Sequence, residues 1–135
     1  MLAHTLSGVR YTGVDFVRHM TWESLESDQI KFIEATVEKL PFENGHFDYA
    51  ICAHVLEHVR NPQKVLQEIA RCCKSSMIVI LPRERSYRAG FNLHVHHYSY
   101  KWEVEKLLAC LLPATYEVNE VDGDFYAEIQ LIKNR

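Results

Sequence analysis

The spacing of apolar positions changes period several times along the chain, and each change marks an element. Arg10-Tyr11-Thr12-Gly13-Val14-Asp15 reads as a short strand ending in an acid. Phe16, Val17, Met20, Ser24 and Leu25 then recur at helical spacing, which predicts an amphipathic helix. Ile30-Lys31-Phe32-Ile33 predicts a second strand, and Leu40 to Gly45 a loop with a turn at Asn44-Gly45. Phe47 to Ala53 is a nearly continuous apolar strand, the pattern of a strand buried on both faces of a parallel sheet. Asn61-Pro62 starts a helix, with Asn as N-cap, Pro at the first helical position, and Val65, Leu66, Ile69, Ala70 and Cys73 as its apolar stripe. Ser76 to Leu81 is another buried strand, stopped by Pro82. A polar, aromatic-rich stretch follows from Arg83 to Tyr98. Ser99 is expected to cap a helix that turns Trp102, Leu107, Leu108 and Leu111 inward. Tyr116 to Val121 and Phe125 to Ile132 are strands joined by a tight hairpin at Asp122-Gly123-Asp124.

Strands alternating with helices imply an α/β domain with a mostly parallel sheet, and the final hairpin adds an antiparallel element at one edge. No repeat or linker interrupts the 135 residues, so a single domain over 1–135 is expected. The net charge of -3 comes with scattered Lys and Arg and no basic stripe, which argues against nucleic acid as partner. Cys52, Cys72, Cys73 and Cys110 form no C-x-x-C pair, so reduced core thiols and a cytoplasmic location are expected. The first residues lack a charged and then apolar leader, and no apolar run approaches the ~20 residues that span a bilayer; no membrane association is expected.

Chemistry enters with a series of short motifs. Glu38-Lys39-Leu40-Pro41-Phe42 is followed by Phe47-Asp48-Tyr49 and His54-Val55-Leu56-Glu57-His58-Val59. Pro62 and Val65-Leu66-Gln67-Glu68-Ile69-Ala70-Arg71 come next. Each is weak singly, but as a set they resemble the type 11 branch of class I S-adenosylmethionine (SAM) methyltransferases, and the resemblance runs over about residues 9–135. It implies a Rossmann-like fold, SAM as cofactor and methyl transfer to a small molecule. At the carboxyl ends of the strands, where open α/β sheets bind ligands, it implies that Asp15 accepts the ribose hydroxyls. Asp15 also reads as a helix N-cap. Thr36, flanked by Val37, stands where the family has an acid facing the adenine amine, and supplies no charge there. Ala53 and His54 line the floor under the methionine, with His54 as candidate general base, while His58 reads as a cap on loop backbone. Arg83, Arg85, Arg88, His94 and His96 fall in the substrate-side loop.

The same family carries Gly-x-Gly-x-Gly after its first strand, where the backbone lies against the cofactor. The five glycines here, Gly8, Gly13, Gly45, Gly90 and Gly123, form no such loop. A fold lacking the first βα unit is therefore expected. The absent strand belongs between 10–14 and 47–52, and its loss opens two rows of backbone groups. Direct pairing of those two strands, a homodimer or a completing partner chain would close them, and direct pairing or a homodimer is the expectation. Two function classes follow: a SAM-dependent enzyme, or a catalytically inactive methyltransferase-like module that binds a partner. Two strings also suggest metal. His54-Val55-Leu56-Glu57-His58 matches H-x-x-E-H, but Asn61-Pro62 leaves its helix little room, and the family resemblance accounts for it. His94 and His96 share one face of an extended segment, and are read as loop residues. No metal is expected.

Overall fold

Residues 8–85 and 93–132 are described by a computed structural model of the chain. The predicted order of elements is met. The chain runs β1 (Tyr11–Asp15), α1 (Trp22–Leu25), β2 (Ile30–Glu34), β3 (Phe47–Ala53), α2 (Pro62–Cys72), β4 (Cys73–Pro82), α3 (Lys101–Leu108), a 3-10 turn (Ala109–Leu111), β5 (Ala114–Val121) and β6 (Asp124–Leu131). These elements fall into two compact units, Met1–Pro41 and Phe42–Arg135.

In the first unit β1 and β2 pair in parallel, from Tyr11 opposite Ile30 to Asp15 opposite Glu34. Gly13 is required here: a Cβ at this position would lie 2.6 Å from the Phe32 ring. The Phe32 ring itself stacks on Trp22, at 5.2 Å between centroids. The helix expected after β1 is corrected. It is reduced to one turn, and Phe16, Val17, Met20 and Leu25 are exposed. Trp22, which the helical periodicity passed over, is the buried residue.

The second unit holds a four-stranded sheet in the order β3-β4-β6-β5. β3 and β4 are parallel, while β4–β6 and β6–β5 are antiparallel. β4 has ladders on both edges, and its Met77, Val79 and Leu81 are fully buried on one face. α2 begins as expected: the Asn61 side chain accepts the Lys64 N–H at 3.0 Å and Pro62 sits at the first helical position. Its Val65 and Leu66 are fully buried. Asp122 and Gly123 both take positive φ, 52° and 88°, which is the two-residue turn that matches strand twist.

Three expectations in this unit are corrected. β3 is not buried on both faces; Tyr49 and Ile51 are exposed, and Cys52, on the opposite face, is its one buried residue. α3 is capped by Glu103, whose carboxylate accepts the Ser99 and Tyr100 N–H groups at 2.7 and 2.9 Å. The Ser99 hydroxyl instead donates to the Glu84 carbonyl. Trp102 is exposed and Val104 takes its inward place. Within the first unit β1 pairs with β2, and within the second β3 pairs with β4.

Leu66→Ala, at a fully buried position of α2, is expected to lower unfolding free energy by about 2–5 kcal/mol in urea titrations. Trp102→Ala, on the exposed face of α3, is expected to change it by less than about 0.5 kcal/mol.

Candidate functional site

In a parallel pair the two carboxyl ends lie together, and the chain leaving each strand supplies side chains to one place. In the second unit β3 ends at Ala53 and β4 at Pro82. The His54 N–H bonds the Ile80 carbonyl at 3.1 Å, and His54 then turns with φ of 53°. This left-handed conformation is uncommon for a residue with a Cβ. It starts the turn that carries Val55 to His58 back over the strand end.

That turn buries Glu57. Its side chain is 1% exposed, and among the described residues neither carboxylate oxygen has a hydrogen-bond partner. Two imidazoles approach one of them, His54 Nδ1 at 3.5 Å and His58 Nε2 at 3.8 Å from Oε1. The Glu57 backbone carbonyl accepts the Val95 and His96 N–H groups, which brings the loop after β4 across the site. This loop delivers His94. Its ring meets the His58 ring edge-on at 4.7 Å, and its Nδ1 lies 2.6 Å from Glu84 Oε2. The hairpin contributes Asp124, with Oδ2 3.4 Å from His54 Nε2.

The neighbouring groups respond to the burial and the charge. Burial and, second, the Glu57 carboxylate push the Cys52 thiol from an ordinary 9.0 up to about 12. Burial, Glu57 and Glu103 push the Tyr98 hydroxyl up to about 12 as well.

The residues singled out from sequence separate in the structure. Ala53 and His54 are exposed at the end of β3. His94 and His96 do not form a pair: His94 faces His58 and Glu84, while His96 Nε2 lies 3.4 Å from the Arg60 carbonyl. Arg83 is engaged, with a guanidinium nitrogen paired to Glu120 and Nε donating to the Ser99 carbonyl at 3.4 Å. Together with Glu84, Arg85, Ser99 and Gly123 it lines a cleft of about 280 Å³. Arg88 lies outside the described residues. His58 Nδ1 is 3.3 Å from the Leu93 carbonyl, so it does hold loop backbone as expected. The H-x-x-E-H string lies in a turn, not a helix, so the two-histidine helical zinc site it can denote is absent. In the first unit Asp15 and Thr36 are exposed and Val37 is half-buried. Asp15 Oδ1 accepts the Val17 N–H at 3.4 Å, and Thr36 Oγ1 accepts the Glu38 N–H at 3.4 Å.

Sequence reasoning passed over Glu57, Glu84 and Asp124 as site residues. The available signal was Glu57 itself, an acid next to Leu56 in a segment leaving an apolar strand.

A family model described as a methyltransferase domain matches residues 1–81, more than half of the chain. The chain belongs to this methyltransferase family. It is 29% identical over 103 residues to a sterol 4-C-methyltransferase of Caenorhabditis elegans, a match that covers 72% of the chain and 28% of that enzyme. The chain thus spans less than a third of that relative's length. Two solved structures share its fold. One is a SAM-dependent methyltransferase from Aquifex aeolicus, with 19% identity, TM-score 0.66, and coverage of 90% of this chain and 68% of the other. The other is the 1,6-didemethyltoxoflavin-N1-methyltransferase of Burkholderia thailandensis, solved with S-adenosylhomocysteine, with 19% identity, TM-score 0.72, and coverage of 90% and 60%. The α/β, Rossmann-like class I methyltransferase fold with its antiparallel hairpin is therefore established. Among the described residues no helix is long and apolar enough to cross a membrane.

An acid held neutral by the fold weakens the fold as pH rises, because the unfolded chain ionises first. The contributions of Cys52 and Tyr98 are whole below pH 9 and are lost as pH climbs toward 12. Urea midpoints measured across that range are expected to fall with pH, and Cys52→Ala to fall less steeply than wild type.

Proposed function

We propose that this methyltransferase-family chain binds SAM and takes part in methyl transfer to a small molecule. The observation that carries the reading is the family match over residues 1–81. It includes Asp15 at the carboxyl end of β1, Thr36 and Val37 after β2, Ala53 at the end of β3 and His54 just after it.

The chemistry of these groups fits the cofactor. A ribose diol needs an exposed acceptor, and Asp15 offers a carboxylate with one oxygen free of the weak Val17 contact. The adenine edge is met by Thr36 and Val37, with a hydroxyl in place of a charge. When bound, the cofactor supplies an activated methyl group on a sulfonium. The protein has only to orient the accepting atom and take up its proton. His54 is the group for that second task. It is half-exposed, lies at the strand end, and is held on one side by Asp124 and on the other by Glu57. The cleft beside Arg83, Arg85 and Ser99 supports a substrate with polar or anionic groups.

Titration calorimetry with SAM and with S-adenosylhomocysteine tests the proposal. Micromolar binding is expected, and Asp15→Ala is expected to weaken it by about tenfold, the loss of one charge-assisted pair of about 1.4 kcal/mol or more. Absence of heat at millimolar ligand sinks the enzyme reading and leaves a methyltransferase-like binding module. With a methyl acceptor in hand, His54→Ala is expected to lower kcat by about 10²–10⁴-fold with SAM affinity retained.

A further inference from the structure

We propose that Glu57, His58 and His94 form a binding site for one divalent metal ion of the zinc class. One ligand atom from each lies within 4.8 Å of the other two. The donor set, two imidazoles and one carboxylate, is one that zinc takes with a fourth position left open. Bonds of about 2.0–2.2 Å place tetrahedral donors roughly 3.4 Å apart, so no pair of the three, all within 4.8 Å of one another, needs to close by more than about 1.4 Å. His58, 44% exposed, has the freedom to do so.

The independent observation is Glu57. It is an acid with a side chain 1% exposed, and both its oxygens lack a hydrogen bond among the described residues. Its ion-pair partners among the described residues are two imidazoles beyond hydrogen-bond distance, with no Lys or Arg. Buried carboxylates of this kind are paired or coordinate metal.

The outer contacts of the histidines point the same way. His94 Nδ1 is engaged by Glu84 at 2.6 Å and His58 Nδ1 by the Leu93 carbonyl at 3.3 Å. Each ring therefore has Nε2 left for a ligand. An imidazole fixed through one nitrogen by a carboxylate or carbonyl, with the other nitrogen free, is the arrangement that orients metal-binding histidines. Glu57 and His58 lie in the turn that leaves β3, beside His54. A metal there would polarise an oxygen of a bound substrate. The site does not depend on SAM binding, and its test uses none.

The test is metal uptake by the untagged chain. Protein stripped with a chelator is equilibrated with Zn(II), desalted and analysed for metal, and the affinity is measured by calorimetry. Co(II) is added in parallel to read coordination from its visible spectrum. One Zn(II) per chain, and Co(II) bands of a four-coordinate nitrogen and oxygen site, are expected. His58→Asn and His94→Asn are each expected to weaken binding by more than about tenfold, and Glu84→Gln by about tenfold. His46→Asn, which alters a ring stacked on Phe42, should bind as wild type does. Circular dichroism checks that every variant is folded, and these positions avoid the core risk of Glu57→Gln. Wild type that returns without metal overturns the site. So does Zn(II) held as tightly by the His58 and His94 variants, and so do Co(II) bands of thiolate ligation.

Discussion

The second unit depends on β4 being paired along both edges. Parallel pairing with β3 and antiparallel pairing with β6 satisfy the backbone groups of Cys73–Pro82 on either side, and this allows the strand to be buried. The same two ladders assemble the site. The parallel partner ends beside β4 and releases His54 to His58 there. Asp124 arrives through its pairing with Pro82. The chain leaving β4 supplies Glu84, and returns with His94 once the Glu57 carbonyl has taken the Val95 and His96 N–H groups. Residues distant in sequence meet because one strand is shared.

Much of this was legible in the sequence, and the reasons are physical. Element order followed from period changes that few alternatives mimic. The start of α2 was written in Asn61-Pro62 and the final turn in Asp122-Gly123, where backbone chemistry is local. Burial was read less well. Apolar periodicity marks a face without saying whether anything covers it. Phe16, Val17, Met20, Tyr49 and Ile51 fit their patterns and are exposed, whereas Trp22, outside the pattern, stacks on Phe32.

The candidate site divides in the same way. Asp15, Ala53 and His54 could be placed in advance because the first two end strands and the third directly follows one, and strand ends are visible. Glu57 was quoted only as part of the two motifs that contain it. Its burial arises from the left-handed turn at His54 and from the loop that crosses it, neither of which has a local signature. His94 was expected beside His96, the neighbour two residues away; its actual neighbours lie 36 residues upstream at His58 and 10 upstream at Glu84. Extended alternation predicts a shared face only where a segment is a regular strand, and this loop is not one.

The turn at Asp122-Gly123 has a further consequence for how the sequence can drift. β5 and β6 are joined by two residues in the left-handed region, so connection length and register are one quantity. Because β6 is also held by β4, a residue added without a longer loop or bulge to absorb it would slip β5 by one and turn Val118, now buried, to the other face. An insertion at this turn therefore carries a cost that its distance from the core does not suggest. Length here is as constrained as side-chain identity is in the core.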